Sequence, residues 1–412
     1  MTAQGPSGAE IVIVGGGAVG CGVAYALAKA GRKDILLLER EPQLAAATTS
    51  QGAGLAGQLR SSIDRTRLAM HSVATFVELE KSAAAKPGWR AVGSLRVAET
   101  AERVEEFDRL ERIGKAAGLA IERLDAAGAR KLCPPFDFSR AKSVIWCPTD
   151  GYMSPVQVVA AYESQCRAMG VRFLTSTRIE GIALKNSRVE AVETSAGRIE
   201  CRYLINAAGA NAYHVARLAG LELPIVPVRH EYFVSVAIPG LHPGIPCFRI
   251  PDATLYGRAD GDGLLLGGWE PDSRRIDPRS YDLTDRPPPV EPDAPVLDSF
   301  AAKFEPYLPA VRGVHSRRLG KGWPTFTPDG KFIIGPSSRV EGFVMAGGCN
   351  AHGISGSGGI GKLLVESMLE ARPSEYVRSL SPDRFPEGGW TWEDASRKAQ
   401  RVYETYYALE SC

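Results

Sequence analysis

Hydrophobic positions near the start of the chain predict a strand, a helix and a second strand in close succession. Residues 11–14 are Ile-Val-Ile-Val, a short apolar run typical of a strand that is buried on both faces. Small apolar residues from Ala24 to Ala30 continue as a helix, and Gly31 is a residue type that ends helices. The leucine-rich run at 35–38 predicts the next strand. The pattern therefore predicts a strand, helix and strand unit of an α/β fold.

Three glycines separate the first strand from the helix. Gly15, Gly17 and Gly20 have the spacing of a dinucleotide-binding turn. Gly15 permits the tight turn, Gly17 lets the backbone approach a pyrophosphate, and Gly20 lets the helix pack closely on the strand. The start of the helix offers unpaired N–H groups to phosphates. Glu39, 24 residues after Gly15, is positioned to accept hydrogen bonds from a ribose diol. The stretch is thus predicted to bind a nucleotide.

Two other interpretations of this stretch are excluded. Residues 11–28 contain no charged residue, which is close to the length of a membrane span, but five glycines interrupt the run. No basic residues flank it to orient a span. A signal peptide is excluded because the preceding MTAQGPSGAE lacks Lys and Arg.

The periodicity of apolar residues predicts further helices and strands along the chain. From Pro224 onward, the pattern is dominated by β strands. The predicted elements are helices at 63–81, 100–118 and 296–307, a helix that begins at Ser154-Pro155, strands at 91–98, 171–174, 178–194, 198–204 and 230–238, and a hairpin that turns at 260–263.

Two later stretches also place small residues between a strand and a helix. In residues 203–220 the small residues are Ala207 to Ala210, and in residues 342–369 a loop holds seven glycines. The first fits an ordinary turn or backbone contact with a dinucleotide, and we favour the contact. The glycine-rich second stretch is also typical of a flexible linker, but the strand before it and the helix after it argue against that interpretation. The small-residue loop at 41–55 fits a cofactor contact and a surface loop equally well.

Composition narrows the classes of function. With 412 residues, the chain is long enough for two domains. The 49 basic and 47 acidic residues nearly cancel, so nothing indicates nucleic acid or a membrane as a partner. Eight cysteines without a CxxC pair predict reduced thiols and a cytoplasmic protein. Six scattered histidines, without HxH or HxxxH spacing, predict no metal site.

The landmarks, in this order, resemble the glycine oxidase and D-amino-acid oxidase superfamily of FAD-dependent oxidoreductases. The resemblance covers essentially the whole chain and is closest to the flavin halves of sarcosine and dimethylglycine dehydrogenases and oxidases. The matching segments are DGYMSPVQVV (150–159), PVRHEYFVSV (227–236), GLLLGGWEP (263–271), GWPTFTPDGKFIIGP (322–336) and GFVMAGGCNAHGISGSGG (342–359).

The resemblance implies an α/β fold with a Rossmann-like FAD-binding domain and an antiparallel-sheet substrate domain of the α+β type. We expect residues 8–90, 141–222 and 320–375 in the FAD-binding domain, residues 91–140 and 223–319 in the substrate and catalytic domain, and residues 376–412 as a C-terminal extension.

The same resemblance implies bound FAD, with its ADP end on the first glycine turn and its isoalloxazine at the 347–359 loop. A helix N-terminus there would stabilise negative charge on the reduced flavin. The residues expected to contact FAD are Gly15, Gly17, Ala18, Val19, Gly20, Glu39, Arg40, Thr49, Ser50, Gln51, Ala208, Gly209, Gly347, Gly348, His352, Gly353 and Ile354.

Catalysis is expected some 200 residues further along the chain. By its place in PVRHEYFV, His230 matches a family histidine beside the flavin, and Tyr256 looks like its tyrosine partner. Such a pair would orient an amine and favour its neutral form. Without the resemblance, both fit equally well as interior residues with satisfied hydrogen bonds. Arg258 is a candidate for binding a substrate carboxylate, and His352 for a contact with substrate or flavin.

Two departures from the family pattern carry further expectations. Many relatives attach FAD through a histidine in a segment like TTSQGAGL, but Gln51 stands at that place, so we expect noncovalent FAD. Larger relatives continue into a folate-binding region, whereas this chain stops at RVYETYYALESC. We therefore expect either activity without folate or a separate folate-binding or electron-transfer subunit.

The leading hypothesis is oxidation of a small secondary or tertiary amine, such as an N-methyl amino acid, by hydride transfer to flavin. Hydrolysis of the resulting iminium would release formaldehyde from an N-methyl group. Oxygen or another electron acceptor would reoxidise the flavin. The alternatives are a D-amino-acid or glycine oxidase, and a flavin-binding subunit or assembly factor of a larger complex.

Overall fold

The computed structural model describes residues 6–409. Residues 1–5 and the end of the predicted C-terminal extension, residues 410–412 with Cys412, lie outside this range. The helices within the described range are α1 (Ala18–Lys29), α2 (Ile63–Ser82), α3 (Ala101–Ala117), α4 (Ala126–Leu132), α5 (Pro155–Ala168), α6 (Ala212–Leu218), α7 (Ala294–Phe304), α8 (Ser357–Leu369), α9 (Glu375–Arg378) and α10 (Trp392–Glu404).

The strands of the described range form two large sheets and two short pairs. They are β1 (Gly8–Val14), β2 (Ile35–Leu38), β3 (Leu55–Ala56), β4 (Ser94–Ala98), β5 (Glu122–Leu124), β6 (Ser143–Cys147), β7 (Gly151–Tyr152), β8 (Arg172–Leu174), β9 (Ile179–Lys185), β10 (Arg188–Thr194), β11 (Gly197–Asn206), β12 (Val226–Pro227), β13 (His230–Ser235), β14 (Cys247–Ile250), β15 (Leu255–Asp260), β16 (Gly263–Gly268), β17 (Ser316–Gly322), β18 (Thr325–Phe326), β19 (Ile333–Pro336) and β20 (Phe343–Gly347).

The first sheet has β1 at its centre, in the order β19-β20-β11-β1-β2-β8. Its central strands pair in parallel, and the β9 and β10 hairpin extends it next to β11. Helices α1, α2, α5 and α8 cover one face, and α6 packs on the other. Strands covered on both faces must be apolar throughout, which explains the uninterrupted runs in β1 and β2. The predicted strand, helix and strand unit is confirmed.

The second sheet has the order β17-β13-β16-β15-β14-β4-β6-β5 and is antiparallel except for the pairing of β4 with β14. On one face, Phe300 and Phe304 of α7 pack with Phe248 of β14 in a buried core. On the other face, Tyr232 of β13 belongs to a core that includes Tyr403 of α10. Together the two sheets confirm the predicted fold class, a Rossmann-like α/β unit combined with an antiparallel sheet.

Strand pairing differs from the predicted domain boundaries at two places. Strand β6 was expected in the FAD-binding domain, which was predicted to resume at residue 141, but it pairs with β4 and β5 in the second sheet. Strand β17 pairs with β13 as far as Gly322, beyond the predicted boundary at residue 320. In both cases the chain completes a strand of the second sheet before it crosses to the first. The other boundaries stay predictions.

Local geometry also refines the predicted elements. Ser154 accepts a hydrogen bond from the Gln157 N–H at 3.4 Å and caps α5, as predicted. The segment 178–194 is divided into β9 and β10 because Asn186 and Ser187 adopt left-handed φ angles of 51° and 58°. The seven cysteines within residues 6–409 are buried and unpaired. Over the same range, every helix is too short or too polar to cross a membrane.

Glycines set the distance between α1 and α8. A Cβ on Gly22 would lie 2.7 Å from the Ser357 carbonyl oxygen, and one on Gly361 would lie 2.6 Å from the Gly22 carbonyl oxygen. A Cβ on Gly20 would lie 1.9 Å from the Gly15 carbonyl oxygen, which confirms that Gly20 permits close packing of α1 on β1. The bare backbone therefore brings the N-terminal halves of α1 and α8 together.

Gly361→Ala tests this close approach because two effects oppose each other there. Inside a helix, alanine is favoured over glycine by about 1 kcal/mol. The contact with Gly22 should outweigh that gain, so we expect the free energy of unfolding to fall by about 1–3 kcal/mol. Denaturant unfolding measures it.

Gly181→Ala in β9 is the matched control, because its Cβ would meet only Glu193 at an ordinary 3.5 Å. That variant should keep or slightly raise the free energy of unfolding. A Gly361→Ala protein that is more stable than the parent would contradict the close approach of the two helices.

Candidate active site

A deep cleft lies where the carboxyl ends of β1, β11 and β20 face the second sheet. It encloses about 1330 Å³, counting the part that is open to solvent. Ligands of parallel α/β sheets bind at this edge, because loops and helix N-termini converge there. The start of α1 lines the cleft through Gly17, Ala18 and Val19, and the approach to α8 lines it through Gly353, Ile354 and Ser355.

Most of the predicted cofactor residues border this cleft. Those that line it are Gly17, Ala18, Val19, Thr49, Gln51, Gly209, Gly347, His352, Gly353 and Ile354. The small-residue loop at 41–55 contributes Thr48 to Leu55 to the wall apart from Ser50. Of the two interpretations of this loop, its position favours the one in which it contacts a cofactor.

Gly15 and Gly20 do not line the cleft, but they give the glycine turn its shape. Gly15 has φ of 115°, and a Cβ there would lie 2.4 Å from the Ala207 carbonyl oxygen, so only glycine permits this turn. Thr49 accepts a hydrogen bond from the Ala18 N–H at 3.1 Å and ties the loop to the start of α1. The turn thus keeps its backbone bare toward the cleft, as a bound pyrophosphate requires.

Glu39 lies at the glycine turn but not on the cleft wall. Its carboxylate accepts hydrogen bonds from the Gly16 N–H at 2.7 Å and the Glu41 N–H at 2.9 Å. Burial raises the pKa of Glu39, while these N–H groups act in the opposite direction. Its hydrogen bonds to a ribose stay a prediction.

Four other predicted cofactor residues are Arg40, Ser50, Ala208 and Gly348, and none of them lines the cleft. The guanidinium of Arg40 donates to the Asp285 carbonyl oxygen at 2.9 Å and faces that loop. Gly348 has φ of 59°, and a Cβ there would lie 2.5 Å from Thr327. These contacts give Arg40 and Gly348 structural roles that sequence spacing does not reveal.

His230 and Tyr256 meet at the other end of the cleft. The His230 Nε2 lies 2.7 Å from the Tyr256 hydroxyl, although β16 lies between their two strands. Gly267 of β16 makes this contact possible, because a Cβ there would lie 2.4 Å from the Tyr256 hydroxyl. Burial lowers the pKa of His230 to about 4, so the imidazole is neutral at pH 7. A neutral imidazole can accept a proton.

The C-terminal extension supplies site residues that the sequence-based predictions missed. Tyr406 and Tyr407 follow α10 and line the cleft, and Tyr403 lies behind His230 with its hydroxyl 3.1 Å from Nδ1. The Tyr406 ring stacks on Trp269, with ring centroids 4.0 Å apart. The only sequence signal was the cluster of tyrosines in RVYETYYALE, at positions that share one helix face.

His352 lines the cleft with both ring nitrogens engaged. Nδ1 lies 2.7 Å from the Asn350 carbonyl oxygen and Nε2 lies 2.9 Å from the Tyr406 hydroxyl. A carbonyl oxygen only accepts, so Nδ1 carries the proton and Nε2 accepts from Tyr406. Burial lowers the pKa of His352 well below its usual value. Both contacts lie within the protein, and the role of His352 toward flavin or substrate stays a prediction.

Arg258, expected to bind a substrate carboxylate, does not line the cleft, and that assignment stays a prediction. Its guanidinium donates to the Ala53 carbonyl oxygen at 2.9 Å, pairs with Asp260 at 2.8 Å and lies over the Tyr152 ring. Alternation along β15 placed Arg258 on the same face as Tyr256, but strand pairing and the Asp260 carboxylate turn its guanidinium elsewhere.

Two other arginines line the cleft instead. Arg60 and Arg249 both border it, and within the described chain neither forms an ion pair with a carboxylate. Burial lowers the pKa of Arg60 to about 10, and the neighbouring Arg249 and Arg96 cations act in the same direction. The Asp150 carboxylate acts in the opposite direction on both Arg60 and Arg249 without forming an ion pair with either. The wall near the aromatic end of the cleft therefore carries two guanidinium groups that have no carboxylate in direct contact.

The chemistry of the donor set fits a dinucleotide cofactor. Two helix N-termini and a bare glycine turn provide N–H groups for phosphates and for an electron-rich ring. Metal chemistry has no comparable support, because residues 6–409 hold no cluster of three or more His, Cys, Asp or Glu side chains that could hold a metal ion.

Residues 10–367 match the model of the family described as FAD dependent oxidoreductase, DAO. The chain belongs to this family. Its cofactor is therefore FAD, and the cleft with its two helix N-termini is the place that fits it. The chain is 31% identical over 396 residues to mitochondrial sarcosine dehydrogenase of Mus musculus, which covers 92% of this chain and 42% of that protein.

A second relative is the 4-methylaminobutanoate oxidase (formaldehyde-forming) of Paenarthrobacter nicotinovorans. It is 29% identical over 383 residues, which cover 92% of this chain and 46% of that protein. The chain thus spans less than half the length of these two curated relatives. The L-proline dehydrogenase from P. horikoshii has the same fold, with a TM-score of 0.83 and 23% identity over 94% of this chain and 100% of that one.

The contacts around the cleft generate a prediction about how FAD is held. Gln51 lines the cleft, the Cys349 thiol also borders it, and burial raises the pKa of that thiol to about 12. A thiol with so high a pKa is a poor nucleophile. We expect FAD to be noncovalent, so that acid precipitation leaves the flavin absorbance in the supernatant.

A yellow acid-washed pellet, with a flavin-bearing peptide in its digest, would contradict noncovalent binding. The modified residue in that peptide would then identify the attachment point.

Proposed function

We propose that this FAD-dependent oxidoreductase oxidises the C–N bond of a small secondary or tertiary amino acid, such as an N-methyl amino acid. The observation that carries the proposal is the joint position of the His230 and Tyr256 pair and of Arg60 and Arg249 on one cleft. An amino acid presents an amine and a carboxylate a few ångströms apart. The cleft offers the His230 and Tyr256 pair for the amine and the two arginines for the carboxylate.

The carboxylate end would be bound by the arginines. Guanidinium groups form paired, charge-assisted hydrogen bonds with carboxylates. Arg249 packs against Gly57, where a Cβ would lie 2.8 Å from Nη1, so a bare backbone leaves room for its guanidinium. An anionic ligand would also relieve the positive charge that Arg60, Arg96 and Arg249 concentrate near this wall.

The amine end would lie among aromatic side chains. Tyr256, Trp269, Tyr406 and Tyr407 line this end of the cleft together with His230. Aromatic faces attract alkylated ammonium groups through their quadrupoles, which favours N-methyl substrates at binding. Hydride loss requires the neutral amine, and the neutral imidazole of His230 provides an acceptor through Tyr256.

Bound FAD supplies the two-electron acceptor for this oxidation. Oxygen or another acceptor would then reoxidise it. The name of the Paenarthrobacter relative gives formaldehyde as its product, and an N-methyl substrate of the present chain would release formaldehyde in the same way. A separate folate-binding or electron-transfer chain remains part of the proposal.

Anaerobic mixing tests the proposal. We expect sarcosine, dimethylglycine or a longer N-methyl amino acid to bleach the visible absorbance of the oxidised flavin. Aerobic turnover should then release formaldehyde in equal amount to substrate. Bleaching only by glycine or D-amino acids, with release of ammonia, would indicate the alternative oxidase, and no bleaching by any amine would contradict an amine-oxidising function.

Arg249→Met tests the carboxylate contact. We expect the dissociation constant of an N-methyl amino acid to rise about 10–100-fold, because a charge-assisted hydrogen bond contributes roughly 1.5–3 kcal/mol. For the corresponding amide, which lacks the carboxylate, the dissociation constant should rise less than about threefold by the same reasoning. Titration of the flavin spectrum under anaerobic conditions measures both constants.

Arg258→Met on the neighbouring strand is the matched comparison. Its guanidinium lies outside the cleft, so the ratio of the two dissociation constants should stay at the parent value. The reverse result, in which only Arg258→Met changes this ratio, would restore Arg258 as the carboxylate partner.

A further inference from the structure

A chain of polar side chains runs from the cleft into the second domain behind His230. Tyr256 contacts the His230 Nε2, and the Tyr403 hydroxyl lies 3.1 Å from the His230 Nδ1. Tyr403 also donates its hydroxyl hydrogen to the Glu270 carboxylate. Glu270 in turn lies 3.4 Å from the Arg229 guanidinium. These residues come from β13 and the position before it, β15, the segment after β16, and α10.

While Glu270 is ionised, the donors and acceptors along this row of side chains can be assigned in only one way. A carboxylate only accepts, so the single hydroxyl proton of Tyr403 points to Glu270. The Tyr403 oxygen must then accept a hydrogen bond from the His230 Nδ1–H. With the proton on Nδ1, Nε2 has a free lone pair and accepts from the Tyr256 hydroxyl. The remaining lone pairs of the Tyr256 oxygen are left for a donor in the cleft.

The charges around Glu270 are mainly negative. Arg229 is the cation in contact with this group, and it faces three carboxylates: Glu270 at 3.4 Å, Glu231 at 3.4 Å and Asp293 at 3.0 Å. Burial raises the pKa of Glu270, while the Tyr403 hydroxyl and Arg229 act in the opposite direction. Arg249, on the cleft side, is the cation near Tyr256. Burial opposes a positive charge on His230, and the Glu270 carboxylate, reached through Tyr403, is the negative group on that side of the ring.

We propose that Tyr403 and Glu270 are positioning residues that hold His230 as its Nδ1–H tautomer and make the Tyr256 and His230 pair the acceptor of the substrate proton. The inference rests on the proposed amine substrate. The substrate ammonium donates its N–H to the Tyr256 oxygen. As that proton moves to Tyr256, the Tyr256 hydroxyl proton moves to the His230 Nε2.

The step balances as a transfer of one proton. One N–H bond of the substrate breaks and one N–H bond forms on His230, while Tyr256 loses one proton and gains another. The substrate leaves the step as a neutral amine with a free lone pair, the form that favours loss of a hydride. His230 becomes an imidazolium whose Nδ1–H points to Tyr403 and, through it, to Glu270. The helix α10 would thus contribute to chemistry that its residues do not touch directly.

The tautomer of His230 is the first test, and it needs no substrate. In the FAD-loaded protein with 15N-labelled histidine, nuclear magnetic resonance distinguishes a protonated from an unprotonated ring nitrogen, and the signal missing from His230→Asn identifies the residue. We expect the Nδ1–H form in the parent protein and a mixture of both tautomers in Tyr403→Phe. A parent protein with the proton on Nε2 would overturn the proposal.

Tyr213→Phe is the matched control, because the Tyr213 hydroxyl also bonds a glutamate, Glu222, at 3.4 Å and its ring packs on Trp392 of α10. It lies outside the cleft lining, so its removal should leave the His230 tautomer and the rate of flavin reduction as in the parent. A change as large as that of Tyr403→Phe would assign the effect to packing of α10 rather than to hydrogen bonding.

The pH dependence of flavin reduction is the second test. In the parent protein the pair removes the substrate proton below the pKa of the free ammonium, which is about 10 for an alkyl amine. Tyr403→Phe should weaken this acceptor, so the rate at pH 7 should fall about 10–100-fold and approach the parent rate near pH 10. A loss by the same factor at every pH would indicate a structural role and overturn the proposal.

Glu270→Gln separates orientation from charge. The amide oxygen still accepts from Tyr403, so the Nδ1–H tautomer should persist, whereas the pH dependence should shift as in Tyr403→Phe. If the rate of Glu270→Gln instead follows the parent at every pH, the charge of Glu270 has no part in the step. Absence of flavin reduction by any amine in the parent would refute the proposed function alone, because the tautomer measurement would still decide the hydrogen-bond chain.

Discussion

The close contact between α1 and α8 is the constraint on which the rest of the site depends. Both helices begin at the same cleft, and their separation is set by glycines whose missing side chains let carbonyl oxygens approach within contact distance of the opposing helix. Because the positive ends of two helix dipoles then face one cavity, the cleft is electrostatically suited to an anionic, electron-rich cofactor. A methyl group on Gly22 or Gly361 would push the two helices apart and turn one helix N-terminus away from the cavity.

The second sheet contributes the other side of the cleft under a different constraint, the satisfaction of buried polar groups. Tyr256, Tyr403 and Glu270 are buried and His230 is half-buried, and each contacts the next. Gly267 leaves space for the first contact, and α10 completes the last. The hydrogen bonds of this network also share one donor-to-acceptor direction, whereas isolated side chains would have none.

The family match extends over both sides of the cleft. It covers strands of both sheets, since residues 10–367 reach from within β1 to beyond β20. The helix α10 and the residues that follow it lie beyond the matched range, yet Tyr406 and Tyr407 line the aromatic end of the cleft. The arginines of the cleft wall lie within the matched range, and they face the same space as the aromatic side chains. Arginine and aromatic side chains therefore line the same cleft as the glycine turn.

Local patterns determined the parts of this protein that depend on neighbours in sequence. The apolar runs of β1 and β2, the glycine turn at Gly15 to Gly20 and the cap at Ser154 follow from backbone sterics and hydrogen bonding within a few residues. The resemblance added FAD and the pairing of His230 with Tyr256. Only the tertiary structure decided that Arg258 turns to Asp260 while Arg60 and Arg249 face the cleft, and that Tyr403 reaches His230 from 173 residues away. Such contacts depend on strand pairing and on how α10 packs across the sheet, and no local periodicity encodes them.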